Sequence, residues 1–175
     1  MSLPGGVLAK AIRGVNDWPE DAVELALAAI NQRRGERNLK PIKLDKGLCE
    51  SAEEHVRGYG DGSQQPHQGF PDRVRRRGWK QENCGIRNFG FGNVSEGVGA
   101  GASSPSDVIL LDSSPDPNEG HRRDFEDPAF THCGIAFAYN RGTDSWCGGM
   151  VYVVEWGARC SVEPESNIND TILIG

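Results

Sequence analysis

Two runs near the C-terminal end constrain the fold more than any other feature of this chain. They are "CGIAFAY" (Cys133 to Tyr139) and "GMVYVVEWG" (Gly149 to Gly157). Both are rich in β-branched and aromatic residues, which read as strands. The linker between them, "NRGTDSWCG", is dense in turn formers and suits a hairpin. The periodic segments upstream have the helical period instead. Helices first and a terminal hairpin later indicate an α+β fold, with helices packed against an antiparallel sheet.

The first helix opens at Pro19, Glu20 and Asp21, and its apolar stripe is Val23, Ala26, Leu27 and Ile30. Arg33 and Arg34 complement its C-terminal dipole, and Gly35 stops it. "LKPIKLD" is a short extended connector that delivers Asp45 as an N-cap. A second helix follows, with Leu48, Ala52, His55, Val56 and Tyr59 on one face and Gly58 to Gly62 at its end. "PDRVRRRGW" reads as a short third helix closed by Gly78, and Ser106 to Leu111 as another short one. From Gln81 to Gly101 the density of Gly and Asn gives no clear period. The tail from residue 161 is polar, with a short strand expected at "TILI".

A chain of 175 residues with 37% hydrophobic and 25% charged residues suits one domain with a real core. The expected division is an arm at 1–19, a domain at 20–160 and a tail at 161–175. The net charge of -6 disfavours nucleic acid or an anionic membrane as partner. The basic run Arg73, Arg75, Arg76 and Arg77 reads as a solvated helix face. No apolar run approaches the ~18 residues of a membrane span, and the start "MSLPGGVLAKAIRG" lacks the apolar core of a signal peptide. Cys49, Cys84, Cys133, Cys147 and Cys160 are too widely spaced for a zinc ribbon; the count fits one or two disulfides plus a free thiol, with at least one disulfide expected, or else buried reduced thiols.

Four histidines carry most of the chemical information. His55, on the apolar face of the second helix, and His132, at a strand edge, read as structural. His67 in "QPHQGF" and His121 in "NEGHRRDF" lie in loops flanked by turn residues, where sites tend to be built. Glu96 opens the glycine-rich stretch "EGVGAG". That stretch is not a phosphate cradle: it has no G-x-G-x-x-G or G-K-[ST] pattern, and a carboxylate at its mouth repels phosphate. Two imidazoles and a carboxylate suit a divalent ion, although their spacing matches no local metal motif. There is no G-x-S-x-G elbow, and "THC" at 131–133 reads as a strand start rather than a Cys–His pair.

The order of segments is more specific. "INQRRGERNLKPIKLD", "LCESAEEHVRGYG", "HQGFPDRVRRRGW", "SEGVGAG", "EGHRRDFEDPAFTHCGIAFAY" and "MVYVVEWG" succeed one another over residues 20 to 158. This succession resembles the CAP superfamily of cysteine-rich secretory, antigen 5 and pathogenesis-related proteins, in particular its bacterial SCP-like extracellular branch. "GHRRDFEDPAFTHCGIAFAY" is similar to the family block GHR-x-N-(I/L)-(L/M)-x-P-x-F-T-x-(V/I)-G-(V/I).

The resemblance implies a three-layer α-β-α sandwich with a central antiparallel sheet, in an extracellular or cell-envelope setting. It also implies a surface cleft lined by His67, Glu96 and His121, with His67 and His121 as ligands of a divalent metal, zinc first and magnesium second. Glu96 matches the glutamate of GEN-(I/L)-A-x-G, where Gly97 replaces the asparagine. The second cleft glutamate of the eukaryotic members aligns with Ser114, and the inserted stretch from Asp116 to Glu119 offers Asp116 or Glu119 as a substitute. Three functions follow as expectations. One is a binding module for a small-molecule or lipid ligand or a protein partner. Another is a metal-dependent hydrolase, such as a peptidase, with Glu96 as general base. The last is a structural or adhesion domain with a vestigial cleft.

Overall fold

A computed structural model describes residues 21–80, 92–113, 120–139 and 150–159. Its elements in chain order are α1 (Ala22–Gly35), β1 (Lys43–Leu44), α2 (Lys46–Gly60), α3 (Phe70–Arg76), β2 (Val94–Ala102), a 3-10 helix (Pro105–Asp112), α4 (Gly120–Glu126), β3 (His132–Tyr139) and β4 (Met150–Gly157). The strands lie in the order β1-β3-β4-β2. β3 and β2 flank β4 antiparallel, and the two-residue β1 adds to β3 in parallel. The sheet is therefore antiparallel except for this short edge.

Strict alternation divides the sheet between two helical layers. Cys133, Ile135 and Phe137 of β3 and Met150, Tyr152, Val154 and Trp156 of β4 pack with α1, the 3-10 helix and α4. Ala136, Val151 and Val153 turn the other way, onto Ala52 and Val56 of α2. Leu48, Phe70, Val74, Trp79 and Val94 extend that second layer over α3. This is the α-β-α sandwich, with both faces of the β3–β4 pair dry. Gly134 shows how closely the second layer sits: a Cβ there would lie 2.1 Å from the carbonyl carbon of Leu48. Only glycine admits the first turn of α2 at that distance.

The local signals explain several of these elements. The Asp45 carboxylate accepts from the Leu48 N–H at 3.0 Å and caps α2 as its position predicted. The third helix starts at Phe70 and is closed by Gly78, whose φ is 88°. The helix expected at Ser106 to Leu111 is a 3-10 turn with a Ser104–Asp107 capping box. The stretch without a period contains β2, whose pairing comes from β4 rather than from its own residues.

Two sequence expectations about arginine are corrected. Arg34 does more than complement a dipole: it is fully buried and donates to the carbonyls of Lys40, Phe125, Asp127 and Phe130. The basic run of α3 is divided. Arg75 and Arg76 are solvated and paired with Asp72 and Glu54, but Arg73 points inward and is buried. Cys49 and Cys133 are buried free thiols, whereas Cys84, Cys147 and Cys160 lie outside the described residues. The arm, the tail with "TILI", the hairpin linker and Ser114, Asp116 and Glu119 also lie outside them.

Candidate functional site: a histidine oriented by a buried carboxylate

The site is built on the α2–α3 side of the sheet, where β2 forms its edge. Glu96 stands opposite Glu155 in the β2–β4 register, so both carboxyls project to the same face. α2 supplies Ser51 and His55 above them, and α3 supplies Arg73 from the side. The loop between α2 and α3 supplies His67. His67 holds a left-handed backbone, φ 62°, which turns the chain back over the strand.

Glu96 is the hub. Its side chain is 0% exposed, and its Oε1 accepts from His67 Nδ1 at 3.0 Å. Its Oε2 accepts from Arg73 Nη2, while Arg73 Nη1 donates to the Gln68 carbonyl at the other end of the guanidinium. His55 Nε2 lies 3.8 Å from Glu96 Oε1, and His55 Nδ1 bonds Gln64 Oε1 at 2.8 Å. Burial opposes ionisation of Glu96, but the His67 hydrogen bond and the Arg73 charge outweigh it and hold its pKa below the usual carboxylate range. Burial lowers the pKa of His55, so that ring stays neutral.

An ionised carboxylate only accepts hydrogen bonds, so the shared proton sits on His67 Nδ1. Nε2 is then the accepting nitrogen, on a side chain that is 40% exposed. This is the arrangement in which a carboxylate fixes the tautomer of a histidine.

Glu155 was not singled out by sequence reasoning. It is fully buried, and its Oε1 accepts from Ser51 Oγ at 2.9 Å. Burial, and then the neighbouring Glu96 charge, push its pKa well above the usual range. The available signal was a glutamate inside the apolar run "VYVVEWG". Arg73 was likewise hidden among its exposed neighbours.

His121 reaches the strand from the other layer. It lies on α4, and its Cδ2 is 3.6 Å from where a Cβ on Gly97 would stand. Gly97 faces the α4 side and Glu96 the α2–α3 side. Ser95 Oγ donates to the buried Asp124 carboxylate at 2.8 Å and ties α4 to the same stretch of β2. The structure thus joins His67 to Glu96 and brings His121 to the adjacent residue from the opposite face. Among the described residues, no group of three or more His, Cys, Asp or Glu side chains is disposed to hold a metal. The donor chemistry fits an ion on the outward His67 Nε2, with Glu96 behind the ring. It does not fit Glu96 as a ligand, because both its oxygens are engaged and one faces a guanidinium. The same burial places Glu96 badly for a general base, which must reach a water.

The layers and this site define an α-β-α domain with an oriented surface histidine. The cysteine-rich secretory protein family model, CAP, matches residues 27–155, and the chain belongs to that family. The uncharacterized protein YkwD of Bacillus subtilis (strain 168) is 27% identical over 129 residues, covering 70% of this chain and 43% of that protein. A cysteine-rich secretory protein from Staphylococcus aureus superposes with a TM-score of 0.60 at 13% identity, over 83% of this chain and 40% of the other. An extracellular SCP-domain protein from Bacillus anthracis gives a TM-score of 0.56 at 16% identity, over 83% and 45%. The chain spans less than half the length of each of these three relatives. Among the described residues, no helix is long and apolar enough to cross a membrane.

Proposed function

We propose that this CAP domain is an extracytoplasmic binding module, in which His67 is the presented group and no reaction need follow. The observation that supports this reading is the His67–Glu96 hydrogen bond, which fixes one nitrogen inward and offers the other to a ligand. A divalent ion, zinc before magnesium by the softness of imidazole, would be held by His67 Nε2 and would supply a positive anchor for a small-molecule, lipid or protein ligand. The setting outside the cytoplasm rests on family membership and on relatives described as secretory or extracellular.

Thermal unfolding with and without zinc tests the ion. At about 100 times Kd, binding raises the melting temperature by roughly 5–10 °C for a chain of this size. That rise is expected in the wild type and not in His67→Ala. Equal behaviour of the two proteins would remove the metal from the proposal.

A further inference from the structure

Behind His67 the fold buries two carboxyls against one cation. Glu96 and Glu155 are register partners, and each side chain is 0% exposed. Arg73 Nη2 serves Glu96 Oε2 directly and lies 3.6 Å from Glu155 Oε1. Glu155 Oε1 accepts from Ser51, but no donor reaches its buried Oε2, and the hydrogen bond between Glu155 and Glu96 needs a proton on one of the two carboxyls. Each packed element contributes to this environment. α2 presents Ser51 and the neutral His55, α3 presents Arg73, β2 presents Glu96, and the register partner on β3 is Gly134, which has no side chain. One guanidinium offsets one carboxylate. A second ionised carboxyl here would be a surplus buried charge with one bare oxygen, which is far costlier than a neutral acid.

We propose that Glu155 is kept as a neutral acid in the folded protein. Glu155 is thereby a positioning residue for His67: by staying uncharged it leaves Arg73 to Glu96, and Glu96 to the imidazole. The value of the device rests on His67 being the presented group, but the protonation of Glu155 does not. Failure of the zinc experiment and failure of this proposal are therefore separable.

The pH dependence carries a definite sign. A carboxyl held neutral in the folded state keeps a proton that the unfolded chain releases above about pH 4.3. Its contribution to stability is complete below that value and is lost as pH rises toward the folded pKa. Glu155→Gln keeps an acceptor for Ser51 and has no proton to lose. Its melting temperature should therefore gain on the wild type as pH is raised from 5 to 7, by up to about 3–5 °C per pH unit. A difference between variant and wild type that stays flat from pH 5 to 7 would mean that Glu155 is ionised in the folded protein, and would overturn the proposal. Infrared spectra of wild-type protein with isotope-labelled glutamate need no variant. A protonated-carboxyl C=O band from glutamate is expected at pH 7, and its absence would equally overturn the proposal. In Glu155→Gln that band should vanish, while the ring 15N shifts of His67 keep the Nδ1–H tautomer.

Discussion

Arg34 and Arg73 are both buried arginines at the inner face of a helix, yet they meet opposite surroundings. Arg34, on the α1 side, donates to the carbonyls of Lys40, Phe125, Asp127 and Phe130. Its partners are neutral, and its work is to fasten the end of α1 to the loops before β1 and β3. Burial lowers its pKa and outweighs the raising effect of the Asp127 charge. Arg73, on the α2–α3 side, meets Glu96 and lies near Glu155. One layer uses a buried charge to close the backbone, and the other uses it to set the ionisation of a site. The difference separates a structural arginine from one whose charge reaches a surface histidine.

Arg34→Met gives the largest effect. It keeps the apolar stem and strands four carbonyls, two of them fully buried, at about 3–5 kcal/mol, or roughly 10 °C or more in melting temperature. Arg73→Met should cost somewhat less, about 3 kcal/mol at pH 7, because Glu96 then lacks its cation. The two variants also separate by pH. The lowered pKa of Glu96 gives the wild type stability that is present above the usual carboxylate range and lost as pH falls through the folded value. The deficit of Arg73→Met should therefore shrink toward pH 4, whereas that of Arg34→Met should not follow this ionisation. Melts at pH 7 and pH 4 compare them directly. At the small end, Arg75→Ala removes an exposed pair with Asp72 and should change stability by less than about 0.5 kcal/mol in the same assay.

The same contrast explains what was legible in the sequence. α1, α2, β3 and β4 carry clear periodicity or composition, and Asp45 carries a cap whose partner is three residues away. β2 carries neither, since its strand character comes from pairing with β4 and its glycines report the crowding of Leu111, His121 and Tyr152. Within the site, His67 and Glu96 stood out because loop histidines and an isolated glutamate contrast with their surroundings. Arg73 did not, because the arginines beside it really are solvated. Only the helical phase separates them, and a helix of seven residues offers little phase. Glu155 lay unnoticed inside a strand that was read for its apolar residues. His121 also stood out as a loop histidine, but it lies on the helix α4 and reaches Gly97 from that side, which its flanking residues did not indicate.

The central claim is that Glu96 holds His67 with its proton on Nδ1 and its accepting nitrogen outward. Long-range 1H–15N NMR of the neutral His67 ring reads this directly. A protonated Nδ1 and a bare Nε2 are predicted in the wild type, with that preference lost in Glu96→Gln. A wild-type ring carrying its proton on Nε2, or one indifferent to Glu96→Gln, would contradict the account.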